Sequence, residues 1–204
     1  MKNFSILFVL LATFSKTATS HEAAAFSQKT WPAQIDCSQC ATVELLDLQL
    51  SVPPDMLKRI KMLNMDGIAF SLEAGDKWLK TQEELIVLLL NESHTTGGLN
   101  ENGYYEKLRV TNLGDFFRVL HQKEHVTKEL QTAREVMGVS NASDFIAYYG
   151  ESVSAFWVES GDKKNQSIYI VPADKNYSIQ ISGHLSQATV NALLSSISLV
   201  EKHT

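Results

Sequence analysis

Strict alternation of apolar and polar positions marks three stretches of the chain as half-buried strands. Leu46, Leu48, Leu50 and Val52 alternate with Asp47, Gln49 and Ser51, and Pro53-Pro54 stops the run. Ile68, Phe70 and Leu72 repeat the pattern after the Asp66-Gly67 turn signal. Tyr177, Ile179 and Ile181 repeat it near the C-terminus, up to Gly183. Two further strands, 152–159 and 167–171, precede that last one, with polar turns at 161–165 and 174–176 between them. Connections this short pair neighbouring strands antiparallel, so the last third is expected to form a three-stranded meander.

Helical spacing accounts for the intervening segments. Met56, Ile60 and Leu63 share a face, which predicts a short helix over 55–63. Thr81-Gln82-Glu83-Glu84 is a capping-box pattern and predicts a helix over 82–91, apolar through Leu85–Leu90. Residues 91–103, with Gly97-Gly98 and Gly103, read as a long polar loop. Asn112 can cap a helix carrying Phe116, Phe117 and Leu120; Thr127 to Met137 forms another, ended by Gly138. Ser140 is expected to cap a short helix with Phe145, Ile146 and Tyr149, ended by Gly150. Ser186 caps a final helix whose face is Val190, Leu193, Leu194 and Ile197. That face should lie on the meander. Strands and helices do not alternate regularly, so the expected class is α+β: an antiparallel sheet with a C-terminal three-stranded meander, packed against helices that include the C-terminal one.

The N-terminus changes this picture. Lys2, the apolar run Ile6 to Leu11 and the small-x-small sequence Ala18-Thr19-Ser20 have the layout of a cleavable secretory signal over 1–20. The run is far short of the roughly 20 residues a membrane-spanning helix needs. Residues 21–40 then form a leader with Pro32 and the Cys37-Ser38-Gln39-Cys40 pair, and 41–204 a single α+β domain. The chain as a whole carries a net charge of −5. Loss of Lys2 and Lys16 with the signal leaves 23 acidic against 16 basic side chains, a net of −7. With no Lys/Arg cluster either, phosphate-mediated binding of nucleic acid is disfavoured. The expected setting is exported, periplasmic or extracellular.

Four features bear on chemistry. In an oxidising compartment, Cys37 and Cys40 are expected to form a structural disulfide. Thiol oxidoreductases use the same spacing, but with a strand before the motif and a helix starting within it; here a Pro-containing leader precedes and a strand follows. His121-Gln122-Lys123-Glu124-His125 resembles the H-x-x-E-H motif of the inverted zincin metallopeptidases. That resemblance implies His121 and His125 as zinc ligands and Glu124 as the group that activates water. It covers five residues, and nothing identifies a third ligand, so the expectation is a solvated helix end and no metal or other cofactor. Asn91, Asn141, Asn165 and Asn176 stand in Asn-x-Ser/Thr sequons, and the last three of them sit where turn chemistry also favours Asn. Phe156 and Trp157 are adjacent in a strand and so face opposite ways; one must be covered by a second layer or left as a partner surface. The resulting expectation is a non-enzymatic exported domain that binds a protein or small ligand. The alternative is an exported enzyme, either a metal-dependent hydrolase using His121, Glu124 and His125 or a thiol oxidoreductase using Cys37 and Cys40.

Overall fold

A computed structural model of the chain describes residues 25–35, 37–52, 61–62, 68–73, 84–161 and 166–200. The expected signal segment 1–20 lies outside them. So do Thr81 and, apart from Lys61 and Met62, the helix expected over 55–63.

Four consecutive strands form the centre: β7 (Ala142–Tyr149), β8 (Val153–Ser160), β9 (Gln166–Pro172) and β10 (Tyr177–Gly183), each antiparallel to the next. The C-terminal meander is therefore present, but as part of something larger. Beside β10 lies β6 (Glu84–Asn91), followed by β5 (Ile68–Glu73) and β4 (Lys61–Met62), all antiparallel. On the other flank β1 (Ala25–Thr30), within the leader, pairs parallel with β7. The order of this eight-stranded sheet is β1-β7-β8-β9-β10-β6-β5-β4. A second sheet has the order β11-β3-β2, from β2 (Ala41–Leu45), β3 (Leu48–Val52) and β11 (Ile197–Leu199).

Each face of the large sheet has its own cover. Ile146, Ala155, Trp157, Ile168, Ile170, Ile179 and Ile181 point to one side. There they meet the small sheet through Leu48, Leu50 and Ile197, and helix α5 (Gln187–Ser195) through Val190, Leu193 and Leu194. Phe145, Ala147, Phe156, Val158 and Val171 point to the other side. That face is covered from the β6–β7 connection: α1 (Glu92–Thr96), α2 (Tyr104–Leu108), α3 (Leu113–Leu120) and α4 (Lys128–Val136). The class is α+β, with three layers, and the C-terminal helix lies on the sheet as its apolar stripe requires.

Asn112 and Ser186 cap helices as expected, Thr127 caps α4, and no helix directly follows Ser140 for it to cap. Asn112 accepts from the amide of Asp115, Thr127 from Leu130 and Ser186 from Thr189, at 2.9, 3.2 and 3.1 Å. Each supplies an acceptor to one of the amides that a helix start leaves unpaired.

Several elements differ from expectation. The helix expected over 82–91 is strand β6: a continuous apolar run has no period of its own, and here Leu85 and Val87 enter the core while Ile86 is 38% exposed. The helix expected after Ser140 is strand β7, in which Phe145 through Tyr148 are buried in alternation on both faces; a central strand covered on both sides looks like an apolar block. The expected loop 91–103 begins with α1, capped by Asn91 and closed by Gly97 at φ 61°. Leu46 does not continue a strand; Leu46-Asp47 is the tight turn between β2 and β3, and Leu46 is exposed there. Ile197 leaves the helix face, because α5 stops at Ser195 and Ile197 pairs with Leu50 across β11 and β3.

Candidate functional site

Cys37 and Cys40 are bridged, with the amide of Cys40 donating to the carbonyl of Cys37 at 3.1 Å. The pair sits in the connection between β1 and β2, with no helix adjoining it, so the amide dipoles that stabilise a nucleophilic thiolate are not aimed at either sulfur. The bridge closes a turn ahead of β2.

The H-x-x-E-H pentapeptide is not a helical turn. Helix α3 ends at Leu120 with His121 as its cap residue, and His125 has φ 55° in the connection to α4. The shared helix face that would join two histidines four apart is therefore missing. His121 serves the packing instead. Its ring lies 5.8 Å from that of Phe26 and 5.5 Å from that of Phe145, and Nε2 is 2.9 Å from the carbonyl oxygen of Ser27 on β1. Burial holds its imidazole below the usual histidine range, with Lys123 and Arg134 acting in the same direction against two backbone carbonyls. Glu124 and His125 are exposed. Among the described residues, no three His, Cys, Asp or Glu side chains converge on a common point.

Phe156 and Trp157 are both buried, Phe156 against the helices and Trp157, 2% exposed, beneath α5 and the small sheet. Of the two alternatives for this strand, cover by a second layer holds: each face is covered. Of the sequons, Asn91 caps α1, Asn176 is exposed in the β9–β10 turn and Asn165 lies outside the described residues. Asn141 has a different setting.

Asn141 borders a cavity of about 250 Å³ on the helical face, bounded also by Met137, Gly138, Val158, Ser167 and Tyr169. Ser160 completes the rim. Its origin is local. Helix α4 ends at Met137, and Gly138, at φ 73°, turns the chain into a single 3-10 turn, Val139–Asn141, which leads into β7. That left-handed turn favours glycine, and a side chain there would point into open space. The helix α4 stops here, and the cavity opens beside its end. Between Ala142 and Asp144 the register against β8 shifts at a bulge, and the Ser143 hydroxyl donates to the carbonyl of Glu159 at 3.1 Å.

The lining mixes apolar and polar groups. Met137, Val158 and the Tyr169 ring are its apolar part, with Tyr169 5.1 Å from Phe117 and Ser167 paired with Val158 across the strands. Burial pushes the Tyr169 phenol above its usual pKa, so it remains a protonated donor. The hydroxyls of Ser167 and Ser182 are 2.8 Å apart, and Gln180 donates to both at 3.0 and 3.1 Å. None of the lining residues carries a formal charge. A second, more open cleft of about 410 Å³ differs in this respect: Asp47 and Lys175 form an ion pair of 2.8 Å within it.

Sequence reasoning singled out Asn141 only as a sequon and missed Met137, Ser167 and Tyr169. The one local signal was Gly138 after an apolar-faced helix, which marks where a covering helix stops. Among the described residues, no helix is long and apolar enough to cross a membrane. No protein-family model, curated protein or solved structure matches the chain.

Proposed function

We propose that the chain is an exported, non-enzymatic binding domain that takes one small uncharged ligand in the cavity between the end of α4 and strands β8 and β9. The signal-like N-terminus supports the export part of this reading. The observation that carries the binding part is the lining: a concave site with apolar groups and a few polar ones, all neutral. A charged ligand would lose part of its hydration there and meet no opposite charge among the lining residues. A neutral ligand loses far less and is held by hydrogen bonds.

The test is ligand-observed NMR on the exported protein against a library of small neutral and charged molecules, run beside Val158→Trp, whose indole fills the cavity. Neutral hits that vanish in the folded variant support the reading. The same hits in both proteins place binding elsewhere and overturn it.

A further inference from the structure

We propose that the cavity's ligand is a single ring-sized neutral polyol, one face of which packs on Met137, Val158 and the Tyr169 ring while its hydroxyls meet Asn141 and the serines. This rests on the binding reading above and narrows it to one chemical class. Volume sets the scale: about 250 Å³ corresponds to about eight waters at ~30 Å³ each, room inside for one hydroxylated ring. The lining sets the chemistry. Hydroxyl and carboxamide groups each both donate and accept, as the hydroxyls of a polyol do. Ligands that only accept or only donate would leave part of this set without a ligand partner and so bind less well. The third feature is the mixing of the two chemistries in the lining: Ser167 pairs with Val158 across β8 and β9 and lies two positions from Tyr169, and such a surface suits a ring with C–H bonds on its face and O–H groups on its edge.

β10 supplies an independent reason why this spot is polar. Its helical side reads Ser178, Gln180, Ser182, while its opposite side carries Ile179 and Ile181 in the core. Ser178 is engaged by Thr95 of α1 at 2.8 Å. Gln180 and Ser182 are tied to Ser167, which orients that hydroxyl at the cavity wall. A hydrogen-bonded support of this kind fixes a binding group in place before the ligand arrives.

The experiment is a ¹H–¹⁵N correlation titration of the exported protein with glucose, ribose and an inositol, in parallel with their phosphates and with small neutral amides. The resonances followed are the Gly138 amide and the Asn141 side-chain amide. The inference predicts that at least one unphosphorylated polyol shifts both, that its phosphate binds at least tenfold more weakly, and that Tyr169→Phe weakens it about three- to tenfold. Asn141→Ala, read through Gly138, is a second variant and predicts the same direction. Shifts caused by amides and not polyols would overturn the polyol assignment and leave the binding reading standing. Tighter binding of the phosphates would overturn both, because the neutral lining is common to them. If no polyol moves either resonance the polyol assignment fails, and the library hits and their loss in Val158→Trp still decide the broader reading. Equal shifts in both variants would mark non-specific contact and overturn the assignment too.

Discussion

On one face of the large sheet, Ile168, Ile170, Ile179 and Ile181 meet Val190 and Leu193 of α5 and Leu48 and Leu50 of the small sheet, all at most 3% exposed. On the other, the aromatic cluster around Phe117 and Phe156 gives way along β9 and β10 to Ser167, Gln180 and Ser182. The same strands build both faces, since neighbouring residues point opposite ways. Only the covering layers differ. One face is covered by a helix and a sheet, with a small apolar gap between the sheets beside Leu48, Leu50 and Ile179. The other is covered by helices, the last of which, α4, stops before Gly138. The proposed ligand site needs the second arrangement, while buried cores on both faces hold the fold together.

The largest break in this comparison should come from the face under α5. Leu193→Ala removes a fully buried side chain and is expected to cost about 2–5 kcal/mol, read from denaturant unfolding. The next contrast uses enlargement. Ile168→Trp, on the same face, should cost about 1–3 kcal/mol by overpacking, whereas Val158→Trp, opening on the cavity, should cost less than about 1 kcal/mol. Equal losses at the two sites would mean the faces are equally full.

How much of this was legible in the sequence depends on the element. The three strands around 153–183 and the capped helices α3, α4 and α5 were readable because their signals are local: turn residues, a cap and a period. Strands β6 and β7 were not, because burial on two faces erases the alternation that identifies a strand. Leu46 misled for another reason: a leucine at φ 58° in an exposed hairpin turn extends the apparent alternation by one position. The cavity was the least legible part. Its residues come from a helix end, a 3-10 turn and two strands, and only the fold brings Asn141 to Tyr169. The conspicuous motifs led elsewhere: the histidine pentapeptide unwinds at a helix end, and the cysteine pair bridges a connection.

Smaller effects sharpen the contrast further. Ser182→Ala deletes hydrogen bonds to Ser167 and Gln180 on the helical face and should cost about 1 kcal/mol, while loosening Ser167 at the cavity. The smallest expected effect is a pH dependence at β1, the edge strand held to α3 through His121 and Phe26. The folded state takes a proton on His121 less readily than the unfolded chain does. Its contribution is therefore complete above the ordinary histidine pKa of about 6.5 and declines as pH falls below that value. Unfolding curves between about pH 7.5 and about pH 5.5 should show this slope, and His121→Gln should flatten it. An unchanged slope in the variant would assign the dependence to other groups.

The most direct test of the central claim is calorimetric titration of the best neutral ligand into the wild-type protein, Val158→Trp and Leu193→Ala, each at a temperature where it is fully folded. The account predicts saturable binding in the wild type, the same affinity in Leu193→Ala and none in Val158→Trp. Binding that survives in Val158→Trp would contradict it.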